Sequence, residues 1–240
     1  MSKKITLYLL LSLFLFSCTT TPQDIPKNPE FDNLVNRFFK EYWQTFPSRA
    51  AAVGDMDYAD VLELPNKENR DKKLAFYKKY EQAFSQFKDE ELSFSQRTDK
   101  ALLLNEAEAF DWYVNKFKSY EWDPTYYNVG GAISVVLESN KLSDNKKLEV
   151  LTKKLLEVPK YYQTAKSNIY QPTKEHTQLA IKQTQGLIKY LNGEVRKKIR
   201  KSKLNRRDKS TLYQRLDASA EAARRYKVFL QGVLASPKKY

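Results

Sequence analysis

Two residue types that occur once each limit the chemistry open to this chain. His176 is the single histidine and Cys18 the single cysteine among 240 residues. A catalytic zinc normally takes three protein ligands and a water, and a structural zinc takes four, drawn mostly from His and Cys. One of each is too few, so no metal, cofactor or catalytic residue is assigned. The same count leaves His176 as the only base for a Ser-His-Asp or Cys-His arrangement, and no G-x-S-x-G turn accompanies it. His176 falls in the first turn of an expected helix, three residues past Thr173, where a capping or surface role suffices.

Carboxylate chemistry needs fewer parts, since glycoside hydrolysis uses only two acids. Glu106, Glu108 and Asp111 share one expected helix, and Asp55, Asp57 and Asp60 share one loop. A chain with 29 acids brings some together by composition alone, and a solvated face is their ordinary place. The loop also breaks the calcium spacing D-x-[DN]-x-[DN]-G, because Asp55-x-Asp57 runs on to Ala59.

The densest charge signal is Arg196, Lys197, Lys198, Arg200, Lys201, Lys203, Arg206, Arg207 and Lys209, interrupted among acids only by Glu194 and Asp208. Its two readings are a solvated helix connection and a contact surface for anionic lipid headgroups, another envelope polyanion or an acidic protein face. Nucleic acid is not an expected partner, because the N-terminus marks the chain for export. Lys3 and Lys4 precede an apolar run from Ile5 to Phe16, and Leu15-Phe16-Ser17-Cys18 has the layout of a lipoprotein signal. The run is shorter than the roughly 20 apolar residues that span a bilayer. Residues 1–17 therefore read as a signal peptide, with Cys18 as the acylated N-terminus of the mature chain. Thr19, rather than Asp, follows the cysteine, which places the anchor in the outer membrane facing the periplasm. Two or three acyl chains give stable anchoring where a single chain is marginal. Cleavage before Cys18 lowers the formal net charge from +13 to +11, still strongly basic.

The elements that must carry these groups read as helices. Residues 18–29 hold Pro22, Pro26 and Pro29 and form a flexible tether; residues 30–240 form a single helical domain. Asn28-Pro29-Glu30 opens the first helix, whose Phe31, Leu34, Val35, Phe38, Phe39 and Tyr42 recur at helical spacing up to Pro47. Asn66 caps a second, with Leu74, Tyr77, Tyr80 and Phe84 in its stripe, and Ser95 opens a third through Leu102, Phe110 and Phe117. Further helices are expected over 143–157, 160–169, 173–191 and 210–234, separated by Pro159, by Gln171-Pro172 and by Asn192-Gly193. No strand-type alternation stands out. The fold class is all-α, an irregular array of about seven to nine mostly antiparallel helices. Two aromatic or acidic loops remain, one with Asp57 and Tyr58, the other with Trp122, Tyr126 and Tyr127, followed by Gly130-Gly131, where aromatics crowd a turn. Each reads either as the wall of a binding cleft or as a cap on the core.

The order Phe46-Pro47, Gly54, Asp57-Tyr58, Trp112, Trp122-Asp123-Pro124, Val158-Pro159, Asn168-Ile169, Pro172, Thr177, Ala180-Ile181 and Gly186 resembles the first half of the bacterial family called domain of unknown function 885. The resemblance runs from about Phe31 to Tyr240. It implies a helical protein, often a lipoprotein, whose full-length relatives look like gluzincin-type zinc metallopeptidases with the zinc site in their second half. No H-E-x-x-H occurs here and His176 does not match that motif, so no zinc ligand is carried over. The expectation is a lipid-anchored envelope protein, non-catalytic by itself, that binds a peptide, a partner protein or an anionic envelope component. The alternative is one part of a split or truncated metallopeptidase.

Overall fold

The computed structural model describes residues 25–236. The expected signal peptide, Cys18 and the first part of the tether lie outside the described residues. Within them are eight helices and no strand, as the sequence patterning implies.

Three long helices build the first half. In α1 (Pro29–Thr45) the Asn28 side chain accepts from the amides of Glu30 and Phe31, and proline occupies the first turn, where its missing N–H costs nothing. The short α2 (Pro47–Ala52) follows directly. Asn66 caps α3 (Lys67–Phe84). Ser93, not Ser95, caps α4 (Phe94–Trp112), because Gln96 completes a reciprocal capping box with it. The buried Gln96 amide also ties α4 to α1, donating to Asn28 O at 2.9 Å and Asp32 Oδ1 at 2.7 Å. Between these helices lies an aromatic core in which the Phe38 ring meets Tyr42, Phe76, Tyr80 and Phe84.

A larger core lies between α5 (Gly130–Glu138), α6 (Asp144–Asn168), α7 (Lys174–Tyr190) and α8 (Arg206–Ala235), centred on Leu151, Leu155, Leu216 and Tyr226. Here three sequence expectations are corrected. Gly130-Gly131 does not end in a turn: the Asn128 side chain accepts the Gly130 amide, and α5 starts there. Pro159 does not divide α6. A proline leaves the carbonyl four residues earlier without its helical donor, and the Ser219 hydroxyl, on α8, donates to that Leu155 oxygen at 3.0 Å. Arg215, one turn earlier on α8, donates to Thr152 O at 2.8 Å. Asn192-Gly193 does not end α7 either. A π-helical turn, Leu191–Val195, carries it into Arg196–Lys201, and only then does the chain break before Asn205 caps α8.

Candidate functional site

The segment from Val61 to Pro65 crosses between the two cores and is pinned from both sides. Arg70 Nη1 and Asn168 Nδ2 both donate to Pro65 O, at 2.9 and 2.5 Å, and Asn69 Nδ2 donates to Leu64 O. Beside this strap lies a cavity of about 350 Å³. Its walls come from both halves of the molecule: Phe46 and Arg49 from the α1–α2 junction, Lys73 from α3, Phe110 from α4, and Tyr126 and Tyr161 from the second half. A more open hollow lies on the other side of the strap, lined by Tyr58, Asp60 and Lys153 among others.

Two ion pairs set the polarity of the cavity. Arg49 Nη1 donates to Glu106 Oε1 at 2.6 Å and to the Tyr42 hydroxyl at 2.5 Å, while the Tyr77 hydroxyl donates to the same Glu106 oxygen at 3.0 Å. Burial works against the Arg49 charge, yet Glu106 and Tyr42 hold its guanidinium firmly protonated; burial raises the Tyr77 phenol far above its usual range. On the strap, Glu63 Oε1 faces Lys73 Nζ at 2.5 Å, a close charge contact more than an aligned hydrogen bond, and Glu63 Oε2 accepts the Ser48 amide at 3.1 Å. Burial alone would raise the Glu63 carboxyl, but Lys73 and Ser48 keep it below the usual carboxylate value. Lys154 on α6 is only 2% exposed. Burial pushes its ammonium down to about 8, against the pull of the Glu63 and Asp60 carboxylates.

The loops singled out by sequence separate here. Tyr126 lines the cavity and Tyr58 the adjoining hollow. Tyr127 is buried in the larger core, with its hydroxyl donating to Tyr120 O. Trp122 donates to Phe117 O at 2.8 Å and packs edge-on against Phe117 and His176. Asp57 is exposed, and its amide donates to the Asp55 side chain. His176 Nδ1 lies 2.6 Å from the Thr173 hydroxyl at the start of α7. Of the carboxylates, Glu106 binds Arg49 and Asp60 binds Lys153 at 2.9 Å, while Glu108 and Asp111 point outward. Among the described residues no group of three His, Cys, Asp or Glu side chains could hold a metal ion. In the basic block, Arg196 pairs with Asp217 and Lys209 donates to Arg200 O; Lys197, Lys198, Arg200, Lys201, Lys203, Arg206 and Arg207 are exposed. Sequence reading missed Arg49, Glu63, Lys73 and Lys154, because nothing in their spacing marks residues that meet only across a junction.

A family model described as a bacterial protein of unknown function, DUF885, matches residues 47–239. The chain belongs to the DUF885 family. A solved structure from Shewanella oneidensis, described as that of a candidate lipoprotein of unknown function, is similar to this DUF885 chain at 30% identity and a TM-score of 0.82. The match covers 85% of this chain and 38% of the Shewanella chain, so this DUF885 chain spans well under half the length of that relative. No curated protein matches it.

Proposed function

We propose that this DUF885 chain is a lipid-anchored binding module of the cell envelope, non-catalytic by itself, whose junction cavity receives a short peptide segment. The observation that carries the reading is the cavity lining. Phe46, Phe110, Tyr126 and Tyr161 offer apolar walls for a side chain, while Arg49, whose charge is balanced by Glu106, and the lining pair Lys73–Glu63 offer donors and an acceptor side by side. Charges already neutralised in pairs suit a ligand that carries both amide N–H and C=O groups, since neither partner is left as a lone buried charge. Calorimetric titration of short peptides into the soluble Cys18→Ser chain tests this. Binding should weaken at least tenfold in Tyr126→Ala, a residue exposed enough to be trimmed without opening the core. Affinities equal in both proteins, or no binding across a panel of varied peptides, would dismiss the cavity as the site.

The Leu15-Phe16-Ser17-Cys18 segment and the lipoprotein description of the Shewanella relative support anchoring through Cys18. Thr19 supports the outer membrane, facing the periplasm. The unpaired, exposed side chains from Lys197 to Arg207 support a contact between the basic block and an anionic envelope surface. A second reading is favoured by the greater length of the Shewanella chain: this chain would be one part of a metallopeptidase-like protein whose zinc helix lies in another segment.

A further inference from the structure

The basic block borders a cavity that its sequence does not announce. Lys147, on the first turn of α6, and Lys198 and Lys201, on the short helix Arg196–Lys201, all line one cavity of about 210 Å³. Part of its wall is apolar, from Leu137 at the end of α5 and Leu148 on α6, each 3% exposed. Lysine stems often cover apolar surface while the head stays in water, and that is enough for the exposed Lys198 and Lys201 taken singly. It is not enough for Lys147. Its side chain is only 17% exposed, although its one ion-pair partner among the described residues, Asp144 at 3.6 Å, is 96% exposed.

The charges in this cavity do not balance. Lys198 and Lys201 form no ion pair or hydrogen bond among the described residues, whereas Arg196 holds Asp217 and Lys209 donates to Arg200 O. Three ammonium groups therefore face the single carboxylate of Asp144. If round, a cavity of this volume is narrower than a Debye length of roughly 8 Å, so salt does not screen the repulsion among the three. An anion that enters relieves it, and apolar walls strengthen that attraction by limiting water. Charge and size then choose the anion. A carboxylate or a phosphodiester brings one negative charge, while a phosphate monoester brings about −1.5 to −2 at neutral pH and three acceptor oxygens. Lysine meets such a group as a point charge, without the planar fork of arginine. The Ser202 hydroxyl, also on the wall, is engaged with Ile199 O at 2.7 Å, so recognition falls to the ammonium groups. The volume lies below the roughly 300–1,000 Å³ of sites for drug-sized ligands, which leaves the body of the ligand outside.

We infer that this cavity binds a phosphate monoester group, held by Lys147, Lys198 and Lys201. The inference deepens the reading of the basic block as an anionic contact, and none of these residues lines the junction cavity. Inorganic phosphate is titrated into the Cys18→Ser chain by calorimetry at constant ionic strength. The same chain is sedimented with phosphatidylcholine vesicles carrying phosphatidic acid, a monoester, or phosphatidylglycerol, a diester, at equal surface charge. Phosphate should bind one to one, and at least tenfold more weakly in Lys147→Gln and in Lys198→Gln/Lys201→Gln. Lys203→Gln/Arg206→Gln removes as much charge outside the cavity as the double variant removes inside it, and should weaken binding less than threefold. Lys198 and Lys201 are exposed, so their replacement leaves the fold intact, which the melting temperature verifies. A preference for phosphatidic acid over phosphatidylglycerol that is lost in Lys198→Gln/Lys201→Gln assigns the group to a lipid headgroup. One-to-one phosphate binding without that preference assigns it to a soluble phosphate ester. No saturable phosphate binding, or binding that the cavity variants weaken no more than Lys203→Gln/Arg206→Gln does, overturns the site. Salt-sensitive adsorption to phosphatidylglycerol would in that case still uphold the surface contact, whereas phosphate binding without adsorption to either vesicle removes the surface contact and keeps the site.

Discussion

Replacing Ser219 with alanine tests the account of how α6 passes through Pro159. The proline provides no N–H, and the Leu155 carbonyl receives the Ser219 hydroxyl instead, at 3.0 Å. A buried acceptor that loses its donor costs about 1–3 kcal/mol. The single hydroxyl proton is shared, however, because Arg215 O lies at 2.7 Å. Sharing sets the expected loss in Ser219→Ala at the low end, about 1 kcal/mol. In a Pro159→Ala background the restored Ala amide can serve Leu155 O through the ordinary i→i−4 bond, so the same Ser219→Ala change should cost only about 0.3 kcal/mol. The coupling of roughly 0.7 kcal/mol stands above the 0.3–0.5 kcal/mol scatter of about independent sites. Urea unfolding of the four proteins, followed by far-UV circular dichroism, measures it. Strict additivity, with Ser219→Ala costing the same in both backgrounds, would show that the hydroxyl does not replace the missing amide.

Other consequences follow from single residues. Between pH 8 and 10 the unfolded chain binds more protons at Lys154 than the folded one, because burial lowers the folded value from 10.5 to about 8; stability should therefore rise with pH over that window, by about 2 kcal/mol from this residue. Lys154→Met should flatten the rise, and a wild-type profile that falls from pH 8 to 9.5 would contradict the burial argument. Gly54 has φ +90, and an added Cβ would sit 3.0 Å from Lys141 Nζ, so Gly54→Ala should lower stability by about 1–2 kcal/mol in thermal or urea melts. Cys18→Ser should move the protein from the membrane to the soluble fraction, with mass spectrometry of the wild type showing an acylated N-terminal cysteine. Binding of the Cys18→Ser protein to anionic vesicles should weaken as salt rises, because screening shortens to about 8 Å at physiological ionic strength; a Lys/Arg→Gln variant of the basic block should lose that salt dependence.

The all-α class, the caps at Asn28 and Asn66 and the aromatic stripe of α1 were legible in the sequence because each depends on residues within a turn or two of one another. Pro159 misled for the opposite reason: the donor that lets the helix continue is Ser219, 60 residues away, and no local pattern announces it. Gly130-Gly131 looked like a turn until Asn128 supplied the missing acceptor for the first amide. The junction cavity was hidden for a related reason. Arg49 meets Glu106 across 57 positions, and each residue taken alone reads as solvated helix surface. Tyr126 carried a signal as one ring in an aromatic-rich connection, and Phe46 and Phe110 were visible only as parts of a motif and a helix stripe, not as walls of one cavity.

The π turn at Leu191–Val195 bears on how this family can vary in length. Leu187, Val195 and Ile199 all face the core, at separations of eight and twelve residues. A straight α-helix returns to the same side after about seven and eleven, so the segment carries one residue more than its inward face requires, and the wide turn absorbs it. Loss of a residue there, such as the exposed Asn192, would leave an ordinary helix with Val195 and Ile199 still seated. The same loss earlier in α7 would swing every later side chain by about 100° and bring a lysine or arginine of the basic block towards the core. Insertions and deletions among relatives should therefore gather at this turn, with the helices on either side held to a fixed count.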